Sequence, residues 1–188
     1  VLKSLKSPNP QIIDYANLEI RSDFMDIYLA SKCVFCLAVS SGFMDVAYIF
    51  RKPIVDTNSV PLGIVRYLGK KSLTITKHHM HKKYKNRLTI SEIFSSNVVL
   101  SFRAEEFENN DIELEENSSE EIRDLVIEMD ERLNGRWKDT KEDLLLQKRF
   151  WSIFEDRIKR LNLKKPLHGK TKARFGAKFL RENQNWIK

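Results

Sequence analysis

Ser40, Ser41 and Gly42 stand together directly after an apolar run, CVFCLAV at 33–39, and directly before residues spaced for a helix. A helix that begins at such a point leaves its first backbone N–H groups unpaired and turns the positive end of its dipole outward. The two hydroxyls add donors, and the glycine admits a phosphate to the backbone with no Cβ in its way. The chemistry on offer is anion binding, while a serine that simply caps its helix is an equally good reading of the same residues. Asp45, in the first turn of that helix, competes for the same positive end. It reads either as an acceptor for sugar or ribose hydroxyls or as a complement to the dipole. Asp23 and Asp26 open an earlier helix, where Asp23 reads first as the N-cap and second as a cleft-lining carboxylate.

Two other groupings have the right residue types but the wrong setting. Cys33 and Cys36 have CxxC spacing, yet an offset of three on a strand points them to opposite faces. They read as small buried residues of a reduced, cytoplasmic protein. His78, His79 and His81 offer imidazole nitrogens with no second ligand pair at a recognisable spacing, which argues against zinc.

The elements that must position these residues follow from punctuation and period. Residues 1–22 are polar, with Pro8 and Pro10. Phe24, Ile27, Tyr28 and Ser31 then predict a helix of about ten residues starting at Asp23. The run at 33–39 predicts a strand buried on both faces, as in a parallel sheet. Phe43, Val46, Ala47 and Phe50 fall at i, i+3, i+4 and i+7 and predict a short amphipathic helix, ended by Pro53. Residues 54–56 predict a second strand. Strand, tight turn, helix and strand make a parallel crossover, and ligands of such sheets bind beyond the carboxyl ends of the strands, here 40–42 and 56–58 with SVPLG following. The basic stretch 64–88 predicts one strand, SLTIT, and then an exposed loop. Thr89 with Glu92, Ser118 with Glu121 and Thr140 with Asp143 form capping boxes for three more helices, the second stopped by Asn134 and Gly135. The third carries a stripe of Leu146, Phe150, Ile153, Phe154, Ile158 and Leu161. Pro166 and Gly169 separate it from a last helical stretch at 173–187.

A chain of 188 residues with 41% hydrophobic residues can close a real core, which excludes disorder as a whole, and six Gly with five Pro suit a helix-rich globular protein. The longest apolar run falls far short of the ~20 residues of a spanning helix, and there is no charged-then-apolar leader. The chain opens on Val1 and reads as a piece of something longer. Its formal charge of +7 is unevenly spread: residues 104–131 hold 13 of the 26 acidic residues and a single basic one, so that segment is −12 and the rest +19. Such a surface suits anionic partners: phosphates, nucleic acid, or the lipid of a membrane face. Aromatics at core spacing, and the lack of a recognised motif beside the basic run HHMHKKYKNR, argue against nucleic acid. Peripheral association of the basic C-terminal helices with anionic lipid stays open.

The stretch RSDFMDIYLASKCVFCLAVSSGFMDVAYIFRKPIVDTNSVPLG at 21–63 resembles the donor-binding region of GT-B glycosyltransferases, and within them a family of bacterial surface-polysaccharide glycosyltransferases. The likeness continues through NRLTISEIF, EEFENNDIELEENSSEEIRDLVIEMDERLNG and GAKFLRENQNWI. It implies an α/β fold, the Rossmann-like parallel sheet with flanking helices of a GT-B C-terminal domain, with a helix-rich C-terminal part. Residues 1–19 would be a linker or the end of a preceding domain, 20–135 the nucleotide-sugar-binding domain, and 136–188 helices packing on it. By the same resemblance Ser41 and Gly42 contact the diphosphate, with Ser40, Phe43 and Asp45 beside it. Residues 58–63, Asn58 and Pro61 among them, line the donor cleft, with Asp23 as a further candidate. Arg51, Lys52, Lys70, Lys71 and Lys77 are candidates for charge compensation. The implied activity is sugar transfer from a nucleoside-diphosphate sugar to a glycan or lipid-linked acceptor, with no cofactor and no metal, in the cytoplasm or at the inner membrane face. A complete member carries an acceptor domain, with the catalytic base, before this segment, so the chain is expected to hold the donor without turning it over. The alternatives are a sugar-nucleotide epimerase of similar fold, or a non-catalytic nucleotide- or nucleic-acid-binding module.

Overall fold

In a computed structural model of the chain, residues 3–65, 69–162 and 173–188 are described. Pro166 and Gly169, the expected separator of the last two helices, lie outside them. None of residues 3–22 is buried.

Helix α1, Asp23–Lys32, is capped by Ser22, whose hydroxyl accepts a hydrogen bond from the Met25 N–H at 3.3 Å. Asp23 is therefore not the N-cap but the first helical residue, where its charge complements the dipole. The expected apolar stripe of α1 stays largely in solvent, with Phe24 at 71% exposure and only Ala30 buried. Strand β1, Cys36–Val39, is shorter than the apolar run that contains it, because Cys33 serves as the C-cap of α1. The two cysteines therefore do not point to opposite faces of a strand. Both are free thiols in one small cluster with Met44, Ala47 and Ile54. Burial pushes both thiols up, which favours the protonated form over the thiolate.

After β1 come helix α2, Gly42–Ile49, strand β2, Ile54–Ser59, and strand β3, Leu73–Thr76. The main sheet has four parallel strands in the order β1, β2, β3, β6, where β6 is Arg174–Phe175. Successive residues of β2 divide between the layers: Ile54 packs under α2, and Val55 joins the core beneath helix α5, Ser119–Leu133. Alternation along a strand thus places α2 and α5 on opposite faces, and the chain is an α/β protein with a parallel sheet flanked by helices, compatible with a Rossmann-like domain. Leu37 is in register with Val55 and shares the α5 face, but α5 lies over β2 and β3. Leu37 and Val39 are consequently half-exposed, and β1 is an edge strand among the described strands rather than one buried on both faces.

Helix α3, Ile90–Ser95, together with α5 and helix α6, Lys141–Arg160, starts at the expected capping boxes. Asn134 ends α5, with Gly135 next at φ 69°. Leu146, Phe150 and Phe154 of α6 enter the main core, where the Phe150 and Phe175 rings lie 4.2 Å apart and Trp186 stacks beside them. Two expectations fail for one reason. The histidine cluster is not an exposed loop but strand β4, His78–His81, paired antiparallel with β5, Ile112–Glu115. The stretch at 173–187 is not one helix: it begins as β6 and turns at Gly176 into helix α7, Ala177–Glu182. Its Arg174 and Gly176 N–H groups donate to the carbonyls of Ser72 and Thr74, each at 3.0 Å. Pairing partners remote in sequence override local pattern in both places. Helix α4, Ala104–Asn109, lies between α3 and β5.

Candidate functional site

At the carboxyl end of β1 the chain turns through Ser40 and Ser41 into α2. Beside it β2 ends at Ser59, passes a cis peptide at Val60-Pro61, and enters a short 3-10 turn, Leu62–Ile64. Between these two exits opens a cleft of about 360 Å³, lined among the described residues by Ser40, Ser41, Gly42, Val60, Pro61, Ile64 and Phe102. It lies beyond the carboxyl ends of the strands, as parallel sheets favour. Strand order equals chain order among the described strands, however, so no reversal of order marks the spot.

Ser41 occupies the N-cap position of α2 in extended backbone, φ −144° and ψ 164°, but its hydroxyl makes no capping bond. The helix thus opens toward the cleft without a side-chain cap on its first N–H groups. A Cβ built on Gly42 would meet nothing within 4 Å, so the fold itself does not demand glycine there. Ser40 differs from Ser41. Its Oγ donates to Asp56 Oδ1 at 3.5 Å, while Thr74 Oγ1 donates to Asp56 Oδ2 at 3.2 Å. Asp56 is fully buried in the middle of the sheet, and a carboxylate there requires such partners. With its hydrogen on Asp56, Ser40 shows the cleft lone pairs, which leaves Ser41 as the better hydroxyl donor toward an anion.

The structure therefore gathers Ser40, Ser41, Gly42 and Pro61 on one cleft and leaves the other candidates off it. Phe43 is half-exposed on the first turn of α2 and Asp45 is half-buried there with an interaction of its own; neither lines the cleft. Asp23 is exposed at the start of α1. Asn58 is engaged by Asn117: its N–H donates to Asn117 Oδ1 at 2.7 Å, and its Oδ1 accepts from the Asn117 N–H at 2.6 Å. Gly63 is buried against Val99, whose carbonyl accepts its N–H at 2.8 Å. Arg51 and Lys52 precede β2, and Lys70 and Lys71 precede β3, so all four sit at the amino ends of parallel strands, the edge away from the cleft. Lys77 follows β3 on the cleft side but pairs with Glu116 at 3.3 Å. The acidic segment likewise meets basic residues from the rest of the chain, as in Lys178–Asp124 at 2.6 Å and Arg132–Glu128 at 2.8 Å, which reduces the apparent charge separation.

Sequence reasoning passes over Phe102 and Ile64, whose positions follow no period, and underrates Asp56, whose signal is an acid directly after Ile54 and Val55, the two apolar residues that open β2. No carboxylate, histidine or lysine lines the cleft among the described residues. The histidines serve the smaller sheet instead. His78 Nε2 lies 3.0 Å from Glu121 Oε2, with its ring stacked on Phe179. Burial holds the His79 imidazole down at about 4. Among the described residues no group of three or more His, Cys, Asp or Glu assembles for a metal ion, and no helix is long and apolar enough to cross a membrane. No protein-family model, no curated protein and no solved structure matches this chain.

Proposed function

We propose that this chain holds a nucleoside-diphosphate sugar in the cleft between the turn at 40–42 and the segment at 60–64, as the donor-binding portion of a glycosyltransferase of glycan biosynthesis. The observation that carries the reading is a helix without a side-chain cap opening onto a cleft of about 360 Å³ at the carboxyl ends of β1 and β2. That volume falls at the lower end of the ~300–1,000 Å³ usual for ligand sites. The diphosphate rests on the first N–H groups of α2 and on the Ser41 hydroxyl, where the dipole favours negative charge. In sugar transfer the leaving group is a nucleoside diphosphate, so the same contacts stabilise the charge that develops as the glycosidic bond breaks. The resemblance of residues 21–63 to the GT-B donor region supports the assignment of ligand class. The absence of a titratable group among the described lining residues supports the narrower role: the chain binds donor, and the base that activates the acceptor, glycan or lipid-linked, is supplied from outside this cleft.

Titration calorimetry with uridine, guanosine, thymidine and cytidine diphosphates tests this on the wild type and on Gly42→Asp. The open space at Gly42 lets the variant fold. At least one diphosphate binds the wild type and binds the variant roughly tenfold or more weakly, because a carboxylate then faces the phosphates. Failure of all four diphosphates to bind the wild type, or equal binding by both proteins, overturns the proposal.

A further inference from the structure

We infer that Phe102 is the platform on which the base of the bound nucleotide stacks. This rests on the cleft being a nucleoside-diphosphate site. The cleft is chemically divided: serine hydroxyls and backbone N–H groups lie at 40–42, and Val60, Pro61, Ile64 and Phe102 form an apolar wall. A diphosphate alone has no use for such a wall, whereas a nucleoside diphosphate carries a flat ring at the end away from its phosphates. Phe102 is the one aromatic side chain among the described lining residues, and it stands 74% exposed.

That exposure does not come from a loose loop. Val98, Val99 and Ser101 are buried just before Phe102, and the Ser101 N–H donates to the Val98 carbonyl at 2.9 Å. Ser101 Oγ accepts from the Arg103 N–H at 3.0 Å, bracketing Phe102 from both sides. The Gly63 N–H ties Val99 to the segment that forms the rest of the wall. The ring is thus held out from a pinned backbone and on the rim of the cleft, so ordering it on binding costs little. Stacking on an aromatic face accepts any base, since every base has a π-face.

The test titrates wild type, Phe102→Ala, Phe102→Trp and Gly42→Asp with the four nucleoside diphosphates and with inorganic pyrophosphate. Because the ring is mostly exposed, Phe102→Ala keeps the fold, which its thermal melt confirms. Phe102→Ala weakens nucleoside diphosphates by roughly 5- to 100-fold and leaves pyrophosphate within about twofold of wild type. Phe102→Trp binds the nucleotides at least as well as wild type, whereas Gly42→Asp weakens both ligand types. Nucleotide binding that depends on Gly42 but is untouched in Phe102→Ala, or an equal loss of pyrophosphate there, overturns the platform and spares the site. Absence of all nucleotide binding in wild type removes the site and the platform together.

Discussion

Asn117→Ala would separate the structural from the ligand-binding reading of the loop beside the cleft. Asn117 is 6% exposed and makes three hydrogen bonds to two partners: its Oδ1 accepts from the Asn58 N–H at 2.7 Å, its N–H donates to Asn58 Oδ1 at 2.6 Å, and its Nδ2 donates to the Thr76 carbonyl at 2.9 Å. The partner site is matched to asparagine, since Asn58 lies at φ 54°, a left-handed conformation asparagine tolerates better than most residues. Alanine at 117 leaves the buried Thr76 carbonyl and the half-buried Asn58 N–H without those partners. At ~1–3 kcal/mol for each orphaned group, with the half-buried one at the low end, the loss comes to ~2–4 kcal/mol. For a chain of this size that corresponds to a melting temperature lower by roughly 5–15 °C. Asn58→Gly keeps the left-handed backbone and removes only the acceptor for the Asn117 N–H, so it should cost ~1–2 kcal/mol. Urea unfolding followed by circular dichroism gives both numbers. Nucleotide titration of the same variants well below their midpoints should match wild type, because neither asparagine lines the cleft. An Asn117→Ala protein within ~0.5 kcal/mol of wild type would refute the latch. Lost binding at unchanged stability in Asn58→Gly would instead return Asn58 to the ligand.

Gly63→Ala places a Cβ 2.7 Å from the Val99 carbonyl oxygen, a backbone atom that cannot step aside. Overpacking of ~1–3 kcal/mol is expected in the same unfolding assay, and a neutral result would show that the 3-10 turn relaxes freely. His79 makes stability depend on pH, because its imidazole sits at about 4 in the fold against an ordinary 6.5. Between those values the unfolded chain binds the extra proton, so stability is complete above pH 6.5 and is lost as pH falls toward 4, by ~3 kcal/mol at most. His79→Phe keeps a ring against Phe107 and should remove most of that slope from urea midpoints measured between pH 7 and 4.5. An unchanged slope would mean that the imidazole titrates normally.

Elements with local causes were legible in the residues. The three capping boxes at Thr89, Ser118 and Thr140 mark helix starts because donor, acceptor and apolar periodicity all lie within one turn. The β1-turn-α2-β2 crossover was legible for a similar reason: an apolar run, a Ser-Ser-Gly break and a helical period follow one another directly. The histidine strand was not, since His78 to His81 become a strand only by pairing with Ile112 to Glu115. Nor was β6, whose two residues pair with β3 across a hundred positions of chain.

At the cleft the same division holds. Sequence by itself determined that a turn rich in hydroxyls and free N–H groups would follow a strand and begin a helix, because those properties belong to Ser40, Ser41 and Gly42 and their immediate neighbours. Which side chains share that cleft depends on where strands end in space. Parallel pairing sends Arg51, Lys52, Lys70 and Lys71 to the far edge, draws Asn58 into a latch with Asn117, and turns Ser40 toward buried Asp56. It also brings Phe102, which no local pattern marks, into the lining of the same cleft as Ser41. Those outcomes rest on contacts between residues far apart in the chain, and only the packed tertiary structure decides them.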